Sequence, residues 1–277
     1  MKRIIICLLT ALLILLICVP ARAETVQAYR ALCIGITDYK DGRARQGGIN
    51  STQGVYDALS RSFGGRNSYE SEFCLDPGKE ELLLTIENAF RAADENDISI
   101  IYINAHGGAQ GGISWIEAAD TLVVTAGELE RVTRQIPGRV VLLIDCCNSG
   151  GFIGTMGVYA SGFESAFSMN SFSRDKYLVL TSCTGEENSY RVTAGEMTEE
   201  SMSTAFARAL CEGLGWDLVN DRAVSLRSDS DGDRTVTFTE LYLYTRRRCM
   251  YYLYGSSVYQ SVCVSPEGDA FLMASRR

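Results

Sequence analysis

The sequence predicts an α/β domain built on a central, mostly parallel sheet, and three observations carry that expectation. Short apolar runs alternate along the chain with longer stretches of helical period. The two clearest runs, Ile98 to Asn104 (ISIIYIN) and Arg139 to Asp145 (RVVLLID), are rich in β-branched residues and almost unbroken in hydrophobicity, as strands are when helices cover both faces of the sheet. Each run also ends in a glycine-containing turn that carries reactive side chains. With 277 residues and 46% hydrophobic composition, the chain suits one large domain with a full core.

The elements follow in order. Met1-Lys2-Arg3, an apolar run from Ile4 to Val19 and then Pro20-Ala21-Arg22-Ala23 have the basic start, apolar centre and Ala-x-Ala end of a secretory signal. Residues 1–23 are therefore expected to be removed, with cleavage after Ala23. The apolar run falls short of the roughly 20 residues a spanning helix needs, so no stable membrane insertion is expected once the signal is gone. Bulky Ile17 before Cys18 argues against a lipoprotein. The protein is expected to be secreted or associated with the cell envelope, and residues 24–277 form the domain.

Ala31 to Ile36 reads as the first strand and Tyr177 to Ser182 as the fourth, flanking the two clear ones. Ser51 to Phe63, Glu80 to Ala93, Ala126 to Gln135, Ser203 to Leu214 and Phe238 to Tyr251 read as helices. Between Gly150 and Asp175 the chain is rich in Ser and Gly without period and reads as a long exposed loop, a kind of segment that usually has a function.

Net charge is −8, and the signal takes three basic residues and no acidic one with it. Nucleic acid and anionic membrane are poor partners for such a chain. Of ten cysteines, Cys7 and Cys18 leave with the signal. Cys33, Cys183, Cys211 and Cys263 occupy apolar strand or helix positions, so buried free thiols are expected rather than a disulfide framework.

The chemistry gathers just beyond two predicted strand ends, where ligands collect in open α/β sheets. One strand runs into Ala105-His106-Gly107-Gly108 and the other into Cys146-Cys147-Asn148-Ser149-Gly150-Gly151, and His106 is the only histidine. An imidazole beside a thiol can take its proton, making a nucleophile for acyl carbon, and can then protonate a leaving amine. Gly107 and Gly108 let a substrate carbonyl approach the backbone, whose N–H groups can hold an oxyanion. These parts suit acyl transfer, most simply amide hydrolysis of a peptide or protein, with no organic cofactor.

RALCIGITDY, IIYINAHGG, VVLLIDCCNSGG, LTSCTGEENSY and QSVCVSPEGDAFLM, spread over most of the chain, together resemble the caspase-like cysteine peptidases, and the bacterial metacaspase-like branch more closely than animal caspases. The resemblance implies a three-layer α/β/α sandwich. It selects Cys147, two residues after an aspartate, as nucleophile over Cys146, with His106 as partner. Asn148 departs from the histidine often found after the nucleophile in metacaspases. The resemblance also implies that Asp145 lines the specificity pocket and that Glu186 or Glu187 completes it, which would favour Arg or Lys before the scissile bond. The 150–175 loop matches the segment often cut during activation in that family, with Arg174 the expected self-cleavage point.

A second motif runs from Asp229 to Glu240. Oxygen-bearing Asp229, Asp231, Asp233, Thr237 and Glu240 stand at loop positions 1, 3, 5, 9 and 12, with the Thr235 carbonyl at 7, the spacing of an EF-hand-type calcium loop. Arg234 replaces the usual glycine at position 6. Three other readings compete with a caspase-like peptidase: a legumain-, gingipain- or clostripain-like peptidase of the same fold, an inactive binding module, and, with least support, a structural wall protein.

Overall fold

The computed structural model describes residues 27–62, 69–153, 176–193 and 202–276. The expected signal at 1–23 and Arg174, with most of its loop, lie outside the described residues.

In chain order the described elements are β1 (Tyr29–Gly35), α1 (Gly48–Ser60), β2 (Glu70–Leu75), α2 (Lys79–Ala89), β3 (Ile98–Asn104), β4 (Gly107–Gln110), β5 (Ile113–Glu117), β6 (Val123–Thr125), α3 (Ala126–Thr133) and β7 (Arg139–Asp145). A short 3₁₀ turn (Ser149–Phe152) follows. Then come β8 (Tyr177–Thr181), β9 (Arg191–Thr193), β10 (Met202–Thr204), α4 (Ala205–Gly213), β11 (Trp216–Asp217), β12 (Arg222–Ala223), β13 (Thr235–Thr237), α5 (Phe238–Tyr252), β14 (Cys263–Ser265) and β15 (Leu272–Ser275).

Six strands form the central sheet in the order β14-β8-β7-β3-β1-β2. Only β14 runs antiparallel to its neighbour. Because side chains alternate across a strand, the continuous apolar runs supply two cores. Leu32, Ile34, Ile101, Ile103, Leu142 and Ile144 pack with Leu82, Ile86, Leu129 and Val132 of α2 and α3. Cys33, Ile100, Tyr102, Val141 and Leu143 pack on the other face with residues of α1, α4 and α5 such as Leu59, Phe206 and Leu241. The expected α/β/α layering is the observed one.

The helices form where expected, with shifted ends. Helix α1 begins earlier, after Gly47 in a left-handed conformation (φ 73°), which glycine adopts at little cost. Helices α2 and α3 stop short of Ala93 and Gln135. Strands β2 and β14 were not expected. The β2 sequence ESEFCL is half-exposed and, as an edge strand, lacks the unbroken hydrophobicity that reveals its neighbours.

Topology positions the site. From β1 the chain crosses through α1 to β2 on one side, then returns through α2 to β3 on the other side and moves outward to β7 and β8. Loops leaving the carboxyl ends of β1 and β3 therefore diverge, opening a crevice at the switch point.

Leu142 lies in the middle of β7 with no exposed surface. Leu142→Ala is expected to cost roughly 2–5 kcal/mol, read from urea unfolding; a loss below about 1 kcal/mol would contradict its place in a packed core.

Candidate active site

Strands β3 and β7 pair in parallel register with Asn104 opposite Asp145, and the Ala105 N–H donates to the Asp145 carbonyl (3.3 Å). His106 and Cys147 each stand two residues beyond this last pair, so adjacent strands deliver both to one edge of the crevice. Gly107 fits against the cysteine turn. A Cβ there would lie 2.5 Å from Cys146 Sγ and 2.7 Å from the Cys147 carbonyl oxygen, so no other residue permits the same approach. At Gly108 a Cβ would collide with the Trp115 ring.

The His106 N–H donates to Tyr39 Oη (2.8 Å), and the two rings lie 5.0 Å apart. Burial holds the imidazole below its ordinary pKa, and the nearby Arg45 guanidinium lowers it further. At neutral pH the ring is thus poised to accept a proton.

The turn after Cys147 is held from both sides. Asn148 adopts a left-handed conformation (φ 58°). It donates through its N–H to the Glu187 carbonyl (2.8 Å) and through Nδ2 to the Gly185 carbonyl (2.8 Å), while its own carbonyl accepts from Ser114 Oγ (3.0 Å). Two N–H groups nearby are unengaged among the described residues. The Glu117 N–H donates to the His106 carbonyl (2.9 Å), so by the alternation of an antiparallel ladder the next pair, Gly107 with Ile116, is the non-hydrogen-bonded one. The Gly107 N–H therefore points away from β5, whereas that of Gly108 is used in the ladder. The Cys147 N–H likewise has no described backbone acceptor. Of the two glycines expected to hold an oxyanion, Gly107 has the geometry for it and Gly108 does not.

The acidic residues do not come together as expected. Asp145 has no exposed surface and accepts from Tyr102 Oη (2.8 Å), Asn104 Nδ2 (2.7 Å), Ser189 Oγ (2.9 Å) and Thr204 Oγ1. It is a buried anchor, not an open pocket wall. Glu187 braces the chain end, accepting from the Ser261 N–H (2.8 Å) and Oγ (3.0 Å). Glu186 is exposed and lines a separate cavity. A pocket shared by Asp145 and either glutamate is thus corrected: four donors consume the aspartate, and the loop sends neighbouring glutamates different ways.

Sequence reasoning missed Arg45. Only 7% exposed, it donates to Asn104 Oδ1, and among the described residues it has no carboxylate within ion-pair distance. Asn104 thus bridges the Arg45 guanidinium and the Asp145 carboxylate. The residue sits in a loop whose sequence, DGRARQGG, has no period to announce burial. Only the switch-point topology could have pointed to it.

The acidic loop is formed but compact. Asp229, Asp231 and Asp233 each place a carboxylate oxygen within 4.8 Å of the others, and Arg234 takes the left-handed conformation (φ 68°) expected of a glycine at that position. Glu240 is engaged at both oxygens, one with Ser230 and the other with Thr237 as the capping box of α5. Thr235 Oγ1 donates to Asp233 (2.6 Å).

All eight described cysteines are free thiols, in keeping with the sequence. Burial is the largest cause pushing up the pKa of Cys33, Cys74, Cys146, Cys183, Cys211, Cys249 and Cys263, to about 11 for Cys183, while Cys147 is partly exposed at the crevice. Brief iodoacetamide treatment at pH 7 is expected to label Cys147 first, as read by peptide mapping. Earlier labelling of Cys146 would reverse the assignment of the nucleophile.

No protein-family model matches the chain, and no curated protein does. Among solved structures, it is similar to the crystal structure of caspase-1 from Spodoptera frugiperda, with 13% sequence identity, a TM-score of 0.62 and 91% of each chain covered. That likeness, together with the mostly parallel sheet between two helical layers, shows a caspase-like α/β fold.

Proposed function

We propose that the protein is a cysteine endopeptidase in which Cys147 attacks the scissile carbonyl carbon of a peptide or protein. The observation that carries this reading is the delivery of one thiol and the chain's single histidine to the same crevice by paired strands, beside the unengaged N–H groups of Gly107 and Cys147. His106 takes the thiol proton as sulfur bonds to carbon, and the two N–H groups stabilise the oxyanion. The imidazolium then protonates the departing amine, and water hydrolyses the thioester. Secretion or retention at the cell envelope, and placement in the metacaspase-like branch, belong to the same proposal.

For the residue before the scissile bond, the metacaspase-like resemblance of the sequence motifs supports Arg or Lys. A second reading, an acidic residue, is favoured by Arg45, a guanidinium at the crevice without an ion-pair partner among the described residues. Paired fluorogenic peptides ending in Arg, Lys, Asp or Asn separate the two. Activity is expected to vanish in Cys147→Ala, and activity that survives there would sink the proposed nucleophile. Self-cleavage at Arg174 follows only from the basic reading. Intact mass after incubation tests it against the same variant.

The pH dependence has a definite sign. The base must be neutral imidazole, and its pKa is lowered by burial and Arg45, so activity persists to more acidic pH than an ordinary histidine allows. The acid limb of kcat/KM is expected to have its midpoint below 6.5. Arg45→Gln should shift that midpoint upward, and a downward shift would contradict the electrostatic role given to Arg45.

The loop of Asp229, Asp231 and Asp233 supports calcium binding, with the Thr235 carbonyl, Thr237 and Glu240 completing the set once Glu240 leaves its cap. Calcium is expected to raise Tm relative to chelator, an effect lost in Asp231→Asn. An unchanged wild-type Tm at millimolar calcium would remove this part of the proposal.

A further inference from the structure

The cavity beside Glu186, about 760 Å³, adjoins the nucleophile turn on the side of the β4–β5 hairpin, while Asp145 and Arg45 lie toward α1 and β10. Its described walls are mostly backbone, from Gly111, Gly112, Gly151 and Gly185, with Ser114 among the few side chains. At Gly151 no side chain fits: a Cβ there would collide with Ser114 Oγ. Glu186 is the only charged side chain among the described lining residues. Its carboxylate accepts no hydrogen bond and joins no ion pair among the described residues.

Glu186 is held in place by its neighbours. Asn148, next to the nucleophile, donates to the carbonyls of Gly185 and Glu187 on either side of it, and Glu187 is anchored to Ser261. The glutamate between them is fixed relative to Cys147, yet its charge is unengaged. An extended peptide crossing Cys147 places its residues on opposite sides of the scissile bond into opposite halves of the crevice. With the acyl-side residue toward Arg45 and Asp145, the leaving side runs along Gly151 and Gly185.

We infer that this cleft is the leaving-side subsite and that Glu186 selects an Arg or Lys side chain there. The assignment deepens the peptidase reading and rests on it for the direction of the chain. Backbone walls leave room for a long side chain and add no competing charge, and the free carboxylate supplies a charge-assisted hydrogen bond to its end.

The test uses internally quenched peptides identical on the acyl side and carrying Arg, Ala or Glu at the first two leaving-side positions. Because Glu186 is exposed, the wild-type preference for Arg over Ala in kcat/KM is expected to be modest, roughly three- to tenfold. The ratio should collapse toward unity in Glu186→Gln and turn toward Glu in Glu186→Lys. A preference that survives Glu186→Gln would belong to the overall acidity of the chain and would overturn the inference, as would its absence from the wild type.

A second measurement keeps this question apart from catalysis. Fluorescence anisotropy of a labelled peptide with two N-terminal arginines, titrated with Cys147→Ala protein, is expected to show weaker binding when Glu186→Gln is added. Equal binding overturns the subsite. Glu186-dependent binding without hydrolysis of any peptide by the wild type would sink the peptidase reading and retain the site.

Discussion

The buried carboxylate of Asp145 organises the catalytic edge. Its donors come from two positions on β3, from the segment before β9 and from β10, so one side chain fastens three stretches of chain to the end of β7. Burying an unpaired carboxylate costs several kcal/mol, and each hydrogen bond to it returns roughly 1.5–3 kcal/mol. The arrangement is stable only with the set complete, which fixes how β10 meets the sheet. Thr204 extends the constraint: it also caps α4 by accepting from the Ala207 N–H (3.0 Å), and its own N–H donates to Ser51 Oγ in α1 (2.9 Å). Helix placement on one face and the position of Cys147 are consequences of the same contact.

The resulting crevice has two unlike halves because the strand ends point their side chains to opposite layers. Asp145 faces the layer of α1 and α4, with Tyr102 and Thr204. Cys146, one residue on, packs into the opposite core, and Cys147 emerges at the seam. Adjacent cysteines thus meet opposite fates from simple alternation. Burial drives the Cys146 thiol up strongly, which removes it as a nucleophile near neutral pH.

Much of this was legible in the sequence, for reasons that also explain the failures. Strands β1, β3, β7 and β8 announce themselves because burial on both faces demands unbroken hydrophobicity, and His106 and Cys147 stand out at the ends of two of them. Strand β2 was hidden because an edge position tolerates ESEFCL. Asp145 was singled out but its setting was not, since a strand-end aspartate reads the same whether it faces water or four donors. Glu186 and Glu187 could not be separated by any local pattern, because what distinguishes them is the distant partner Ser261. Arg45 lay beyond reach for a similar reason: only strand order brings the loop after β1 against Asn104.

Arg45 and Asp145 then form one unit. Asn104 donates to the carboxylate with its amide nitrogen and accepts from the guanidinium with its oxygen, so the two opposite charges compensate through a single rigid amide rather than by direct contact. Direct pairing would let the two charges cancel; with the amide between them, the guanidinium keeps an influence on His106, whose pKa it helps to lower. Burial, the larger cause, and Arg45 together lower the imidazole pKa, which favours the neutral form a general base requires. An asparagine at position 104 is therefore an electrostatic element of the site as much as the last residue of a strand. Its side chain holds a costly buried pair of charges apart at the crevice in a protein whose overall charge is negative.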